Sequence, residues 1–239
     1  MDDLTAITVP TRRRIVPEPA WQRSGGLVGY PDGMDRMRKI IDDLRDHPDG
    51  ERVWLLEHPP TFTAGTSARP EDLFNPLGFA TFEAGRGGQW TYHGPGQRVA
   101  YVMLDLHVPH GPLPPMDVRA YVTALERWLI ASLARLGVEA GRRTGRIGVW
   151  VTDPSTGRDA KIAALGVRLT RWTTWHGVSI NVDPNLSHFD GIVPCGIREH
   201  GVTSLRALGN GATMQDVDLA LAACWPECFG GGVPTIRAA

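Results

Sequence analysis

Three strand-like segments that follow one another through short turns do most to limit the folds open to this chain. Residues 146–152 and 160–169 are apolar runs joined by Asp153-Pro154-Ser155-Thr156-Gly157-Arg158-Asp159, a turn-forming composition that reads as a hairpin. Residues 173–182 follow as another alternating segment, so three neighbouring strands would bring Lys161, Gly166 and Gly177 to one region. Upstream, residues 98–106 set Val99, Tyr101, Met103 and Asp105 against Ala100, Val102, Leu104 and Leu106, the two-residue period of a strand. Val53-Trp54-Leu55-Leu56 is a short run suited to a buried strand, ended by Glu57-His58-Pro59-Pro60. His58, beside two prolines, reads as a loop residue with a structural hydrogen bond.

Helical periodicity occurs in three places. Met34, Met37, Ile40, Ile41 and Leu44 follow Asp32 as a candidate N-cap and stop at His47-Pro48-Asp49-Gly50. Val118, Tyr121, Val122, Leu125, Trp128, Leu129 and Leu133 mark a longer amphipathic helix that Gly137 terminates. Thr213-Met214-Gln215-Asp216 has the form of a capping box before Val217, Leu219, Ala220 and Leu221. Residues 61–80, broken by Pro70 and Pro76, read as loop. This order does not repeat as βαβ units, so the expected class is α+β, a mixed and largely antiparallel sheet with helices packed on it. Residues 1–20, with Pro10, Pro17 and Pro19, read as a flexible N-terminal extension, and 21–239 as a single domain.

Charge and cysteine usage narrow the function. The 239 residues carry a net charge of −1, which argues against a nucleic-acid binder. Three cysteines do not make a disulfide framework, and the chain reads as cytoplasmic. Cys224 and Cys228 lack nearby partners for zinc, so no metal is expected. No apolar run approaches the ~18 residues of a membrane span.

Two residues stand out chemically. Of 25 basic residues only Lys39 and Lys161 are lysine, and a lysine set among apolar Ile162, Ala163, Ala164 and Leu165 suits proton transfer in a way arginine does not. Cys195 sits between Pro194 and Gly196, at a corner where a cation or base would make its thiol nucleophilic. Five of the twelve positions in Arg86-Gly87-Gly88-Gln89-Trp90-Thr91-Tyr92-His93-Gly94-Pro95-Gly96-Gln97 are glycine or proline, so backbone amides there can approach a ligand closely.

Glu57-His58-Pro59-Pro60, residues 86–97, Lys161-Ile162-Ala163-Ala164-Leu165-Gly166-Val167-Arg168, His176-Gly177-Val178-Ser179-Ile180-Asn181-Val182 and Ile192-Val193-Pro194-Cys195-Gly196-Ile197 with Val202-Thr203-Ser204-Leu205 together resemble the lipoyl(octanoyl) transferases, over residues 26–225. The resemblance implies the fold of the biotin and lipoate protein ligase catalytic domain and transfer of an octanoyl group from octanoyl-acyl carrier protein to a lysine of a lipoyl domain, in 2-oxoacid dehydrogenase E2 subunits or the glycine cleavage H protein. It implies a Cys195 thioester, with Lys161 lowering the thiol's pKa and acting as acid and base. It also implies substrate binding by Arg86, Gly87, Gly88, Gln89, Trp90, Thr91, Tyr92 and His93, by Ala164, Leu165 and Gly166, and by Gly177, Val178 and Ser179. No cofactor is implied, because thioester exchange is nearly thermoneutral and amide formation drives the second step. Trp90 and Ser179 stand where the family more often has an aliphatic residue and an alanine. Two other readings remain, an ATP-dependent lipoate or biotin ligase, which needs no cysteine, and a catalytically silent module that binds acyl-carrier or lipoyl domains. Arg142, Arg143, Arg146, Arg158, Arg168 and Arg171 cluster around the strands that carry Lys161, as a docking face for an acidic carrier would.

Overall fold

The computed structural model describes residues 18–47, 50–154, 156–193 and 201–239. In chain order these form β1 (Ala20–Leu27), α1 (Tyr30–Asp46), β2 (Arg52–Glu57), β3 (Thr61–Ala64), β4 (Ala80–Glu83), β5 (Thr91–His93), β6 (Gln97–Met103), α2 (Val118–Arg135), β7 (Gly141–Arg143) and β8 (Arg146–Thr152). They continue as β9 (Asp159–Thr170), β10 (Thr173–Asn181), β11 (Gly201–Val202), α3 (Met214–Phe229) and β12 (Ile236–Ala238).

The large sheet runs β12-β1-β2-β6-β10-β9-β8-β7, with β11 added against β9. From β2 to β7 every pairing is antiparallel, whereas β12, β1 and β11 join in parallel. The expected α+β class with a mixed, largely antiparallel sheet is thus the observed one. A small second sheet, β4-β3-β5, lies within residues 61–93. The loop expected over 61–80 therefore contains one strand and meets another at its end. Both have four residues and take their hydrogen bonds from distant segments, which local composition does not encode.

Strand alternation in β6 sorts side chains onto two faces. Ala100, Val102 and Leu104 enter the main core with Tyr121, Leu125 and Trp128 of α2 and Val217, Leu221 and Trp225 of α3. Val99, Tyr101 and Met103 join Met37, Ile41 and Leu44 of α1 on the opposite face. Trp21, Trp128 and Trp225 meet edge to face at centroid distances of 5.2–5.9 Å, a geometry that adds to the burial of their large surfaces. Arg98 of β6 pins α3 to the sheet through Asp218, Nε to Oδ1 at 2.7 Å with both side chains buried. Cys224 and Cys228 are free buried thiols of the α3 core face.

Helix ends follow local chemistry. Thr213 and Asp216 form the reciprocal capping box that opens α3. Asp117 caps α2 through Ala120 N–H, and Gly137 takes φ +78° just past its end. The N-cap of α1 is Gly29 rather than Asp32: Pro31 fits the first turn, and Asp32 falls within that turn, where its charge favours the helix dipole. Among the described residues no helix is long and apolar enough to cross a membrane.

Candidate active site

β8, β9 and β10 form one wall of a cavity of about 420 Å³, within the size range of small-molecule sites, and residues 86–91 form another. Lys161, Gly166 and Gly177 all line it, so the three neighbouring strands converge there as their sequence order suggested. Every substrate-binding position that the family resemblance implies lines this cavity except Tyr92. Tyr92 is fully buried beside Phe62 and Phe189, its hydroxyl 2.7 Å from His188 Nδ1. It belongs to the core of the small sheet and does not line this cavity, because its neighbours Thr91 and His93 take the cavity side of β5.

The loop that carries residues 86–91 is fastened by Arg86 itself. Arg86 is 6% exposed, and its guanidinium donates to Thr63 O and Oγ1 of β3 and to the carbonyls of Gly87 and Gln89, at 2.8–3.1 Å. Its aliphatic stem passes so close to Gly166 that a Cβ there would lie 2.6 Å from Arg86 Cδ. This contact explains the glycine in Ala164-Leu165-Gly166. Gly87 N–H adds a bond to Val167 O of β9, 2.9 Å, closing loop against sheet.

Lys161 is 7% exposed near the start of β9. A register shift between Val149 and Trp150 of β8 lies opposite it, an irregularity of the kind that re-aims side chains near sites. Its Nζ lies 4.7 Å from the Trp150 ring centroid, in cation–π range. Gly148 leaves room for the side chain, since a Cβ there would sit 3.0 Å from Lys161 Cε. On its other side Lys161 pairs with Val202 of β11, and Thr203 N–H donates to Lys161 O at 2.9 Å. The strand that follows the cysteine segment is therefore bonded to the lysine strand. Cys195 itself lies outside the described residues.

The far wall is polar and uncharged. Tyr30, His93, Tyr101 and His176 line it, with His58 behind. Burial holds His58 down to about 4 and His176 to about 3, and pushes His93 well below the ordinary imidazole value, with Arg86 adding repulsion at His93 and His176. Burial also raises Tyr30 to about 12 and Tyr101 well above the usual phenol. Both nitrogens of His58 are used: Nδ1 donates to Val28 O at 2.6 Å and Nε2 accepts from Tyr101 OH at 2.7 Å. It is the structural residue expected. His176 adopts φ +59°, rare for a residue with a side chain, and among the described residues its buried Nδ1 has no hydrogen-bond partner. Tyr30, Tyr101, Trp150 and His176 are cavity residues that the sequence does not single out; only His176 stands inside a family motif, Tyr101 and Trp150 sit in strands that read as core, and Tyr30 precedes the expected start of its helix.

The chain's likeness to known proteins agrees with this geometry. Residues 30–225 match the family model for the lipoyl protein ligase A/B catalytic domain. An octanoyltransferase of Gluconacetobacter diazotrophicus is 65% identical over 215 residues, covering 90% of this chain and 92% of that protein. An octanoyltransferase of Acidiphilium cryptum is 55% identical over 209 residues, covering 87% and 91%. Among solved structures, lipoate-protein ligase A bound with ATP superposes with a TM-score of 0.64 at 15% identity, covering 92% of this chain and 90% of that one. A bi-partite lipoate protein ligase from Thermoplasma acidophilum gives 0.63 at 15% identity, covering 92% and 88%. These two structures share the fold, and the sequence matches carry the kinship: the chain belongs to the lipoyl protein ligase A/B catalytic domain family, among its octanoyltransferases.

Proposed function

We propose that the protein moves an octanoyl group from octanoyl-acyl carrier protein, through a Cys195 thioester, to the lysine of lipoyl domains in 2-oxoacid dehydrogenase E2 subunits and glycine cleavage H protein. The observation that carries this reading is Lys161: a buried lysine on the wall of a largely apolar cavity, bonded through its backbone to the strand that follows the cysteine segment. Leu165, Val178 and Val99 give an eight-carbon chain an apolar surface, while the neutral histidines and tyrosines supply hydrogen bonds without charge.

In the first step Cys195 gives its thiol proton to Lys161 and the resulting thiolate attacks the carrier thioester carbonyl, forming a new C–S bond as the carrier sulfur leaves and takes that proton back from Lys161. In the second, the acceptor amine attacks the enzyme thioester, the Cys195 sulfur leaves, and the proton lost by the amine passes to Lys161 and then to the thiol. Thiol and lysine share protons throughout. Each step balances without ATP. Domain and location follow the same reading, with one catalytic domain over 21–239, a short extension before it, and work in the cytoplasm, where thiols stay reduced.

Intact mass decides between this and an ATP-dependent ligase. Mixing with octanoyl carrier protein should add one octanoyl mass to the wild type and none to Cys195→Ala. Octanoylated lipoyl domain formed from octanoic acid and ATP, with no carrier present, would support the ligase and overturn the transferase.

A further inference from the structure

One buried chain of hydrogen bonds links the lysine strand, the segment after β11 and the glycine-rich loop. Thr203, whose N–H meets Lys161 O, accepts at its own carbonyl from Asn181 Nδ2 at 2.9 Å. Asn181 Oδ1 accepts from Gln97 Nε2 at 2.9 Å, and Gln97 Nε2 also donates to Tyr92 O at 3.3 Å. Gln97 Oε1 then lies 2.7 Å from His93 Nδ1. His93, Gln97, Asn181 and Thr203 are all more than nine-tenths buried.

The direction of this chain is fixed by main-chain carbonyls, which only accept. Thr203 O requires the NH2 of Asn181 to face it, since the reversed amide would set oxygen against oxygen at 2.9 Å. Asn181 Oδ1 is then left to Gln97, whose NH2 must face both it and Tyr92 O. Gln97 therefore presents its oxygen to His93, and Nδ1 must carry the hydrogen. Burial beside Arg86, His58 and His176 keeps the ring neutral, which leaves the lone pair on Nε2 of a ring that lines the cavity.

We propose that Gln97 and Asn181 are positioning residues that lock His93 in its Nδ1–H tautomer, so that Nε2 serves the cavity as a hydrogen-bond acceptor for an amine or amide N–H of a substrate. The tautomer assignment stands independently of the octanoyl reading; only the identity of the N–H group rests on it. Two sources fit, the arm of the acyl donor and the incoming acceptor lysine, and the half-reactions separate them.

The test is a long-range ¹H–¹⁵N correlation spectrum of ¹⁵N-histidine-labelled protein, with His93 assigned through His93→Gln, joined to single-turnover rates. Wild-type His93 should show a protonated Nδ1 and an unprotonated Nε2. Gln97→Met, similar in volume but without the amide, should mix the tautomers and lower kcat by about 10- to 100-fold, the range seen when the partner that orients a metal-binding histidine is removed. A slower acylation step would identify the donor arm as the N–H source, and a slower discharge step the acceptor lysine. Wild-type His93 protonated on Nε2 overturns the proposal, as does Gln97→Met with unaltered rates; should that variant not fold, the wild-type spectrum alone decides. Failure of the octanoyl reading would show differently, as absence of the acyl-enzyme mass with the tautomer intact.

Discussion

The two faces of the large sheet are built on opposite terms. Against α2 and α3 the core is continuous and apolar, with Trp21, Trp128 and Trp225 interlocked at its centre. Toward the cavity the burial is just as deep but chemically mixed: Arg86, His93, Lys161 and His176 are all under 9% exposed. Buried apolar surface stabilises the fold, whereas each buried polar group lowers stability unless it is hydrogen-bonded. The first face therefore supports the second, whose histidines and tyrosines are held neutral and whose lysine is held in place at some loss of stability. Substitutions on one face should change stability alone, and on the other chiefly chemistry.

The largest separation should come from Cys195→Ala, with acyl transfer falling to background, because no other thiol serves: Cys224 and Cys228 are buried in the α3 core. Near-normal turnover by this variant would refute covalent catalysis at this position. Lys161→Arg should come next, and unevenly, since a fixed cation still favours a thiolate but cannot take the acceptor's proton. Single-turnover measurement of each half-reaction checks this; equal losses in both would sink the two roles given to Lys161.

On the opposite face, Trp128→Ala should destabilise by about 3–5 kcal/mol, the range for removing a buried aromatic side chain, while kcat per folded molecule stays unchanged. Urea denaturation with active-site titration by acyl-enzyme mass tests both halves. A kcat that fell in step would mean the two faces are coupled.

Acid should erode stability through the cavity face. Unfolded histidines take up protons near pH 6.5, whereas folded His58 resists until about 4 and His176 until about 3. Below pH ~6.5 the unfolded chain binds more protons, so stability falls by roughly 1.4 kcal/mol per pH unit for each such histidine. The loss should level off for each at its folded value. Urea midpoints at pH 7, 6 and 5 measure the slope, and His58→Gln should remove one histidine's share of it.

The smallest effect concerns docking. Arg142 is paired with Glu126, and Arg143 and Arg146 share Asp159, so two carboxylates already offset part of the basic cluster. Steering of an acidic carrier should therefore be modest and should fade as the Debye length shortens from about 10 Å at 0.1 M salt to 3 Å at 1 M. Comparing kcat/KM for carrier-bound and small octanoyl thioesters across a salt series tests it. Parallel curves would mean that these arginines do not recruit the carrier.

Periodicity located β6, β10 and, with a capping box at the last, α1, α2 and α3, because a buried face repeats every two residues in a strand and every three to four in a helix, while apolar runs bounded by turn residues located β2, β8 and β9. The same signal placed Lys161 near the start of its strand, and the family motifs marked the loop and strand positions that the cavity collects. What escaped was short or bonded at long range. β3 and β4 have four residues each, β12 has three and β11 two, too few for a period to show. β1, interrupted by Gly25 and Gly26, owes its place to β2 and β12 on either side. Tyr92 looked like its neighbours in the motif, yet strand alternation turned it into the core of the small sheet. Tyr30, Tyr101 and Trp150 became cavity residues only when α1, β6 and β8 were brought together. The sequence by itself determined which segments could bury a face and which residues carried reactive groups. Tertiary structure decided which buried groups face one another, because the bonds from His93 through Gln97 and Asn181 to Thr203 join residues up to 84 positions apart, a separation no local pattern records.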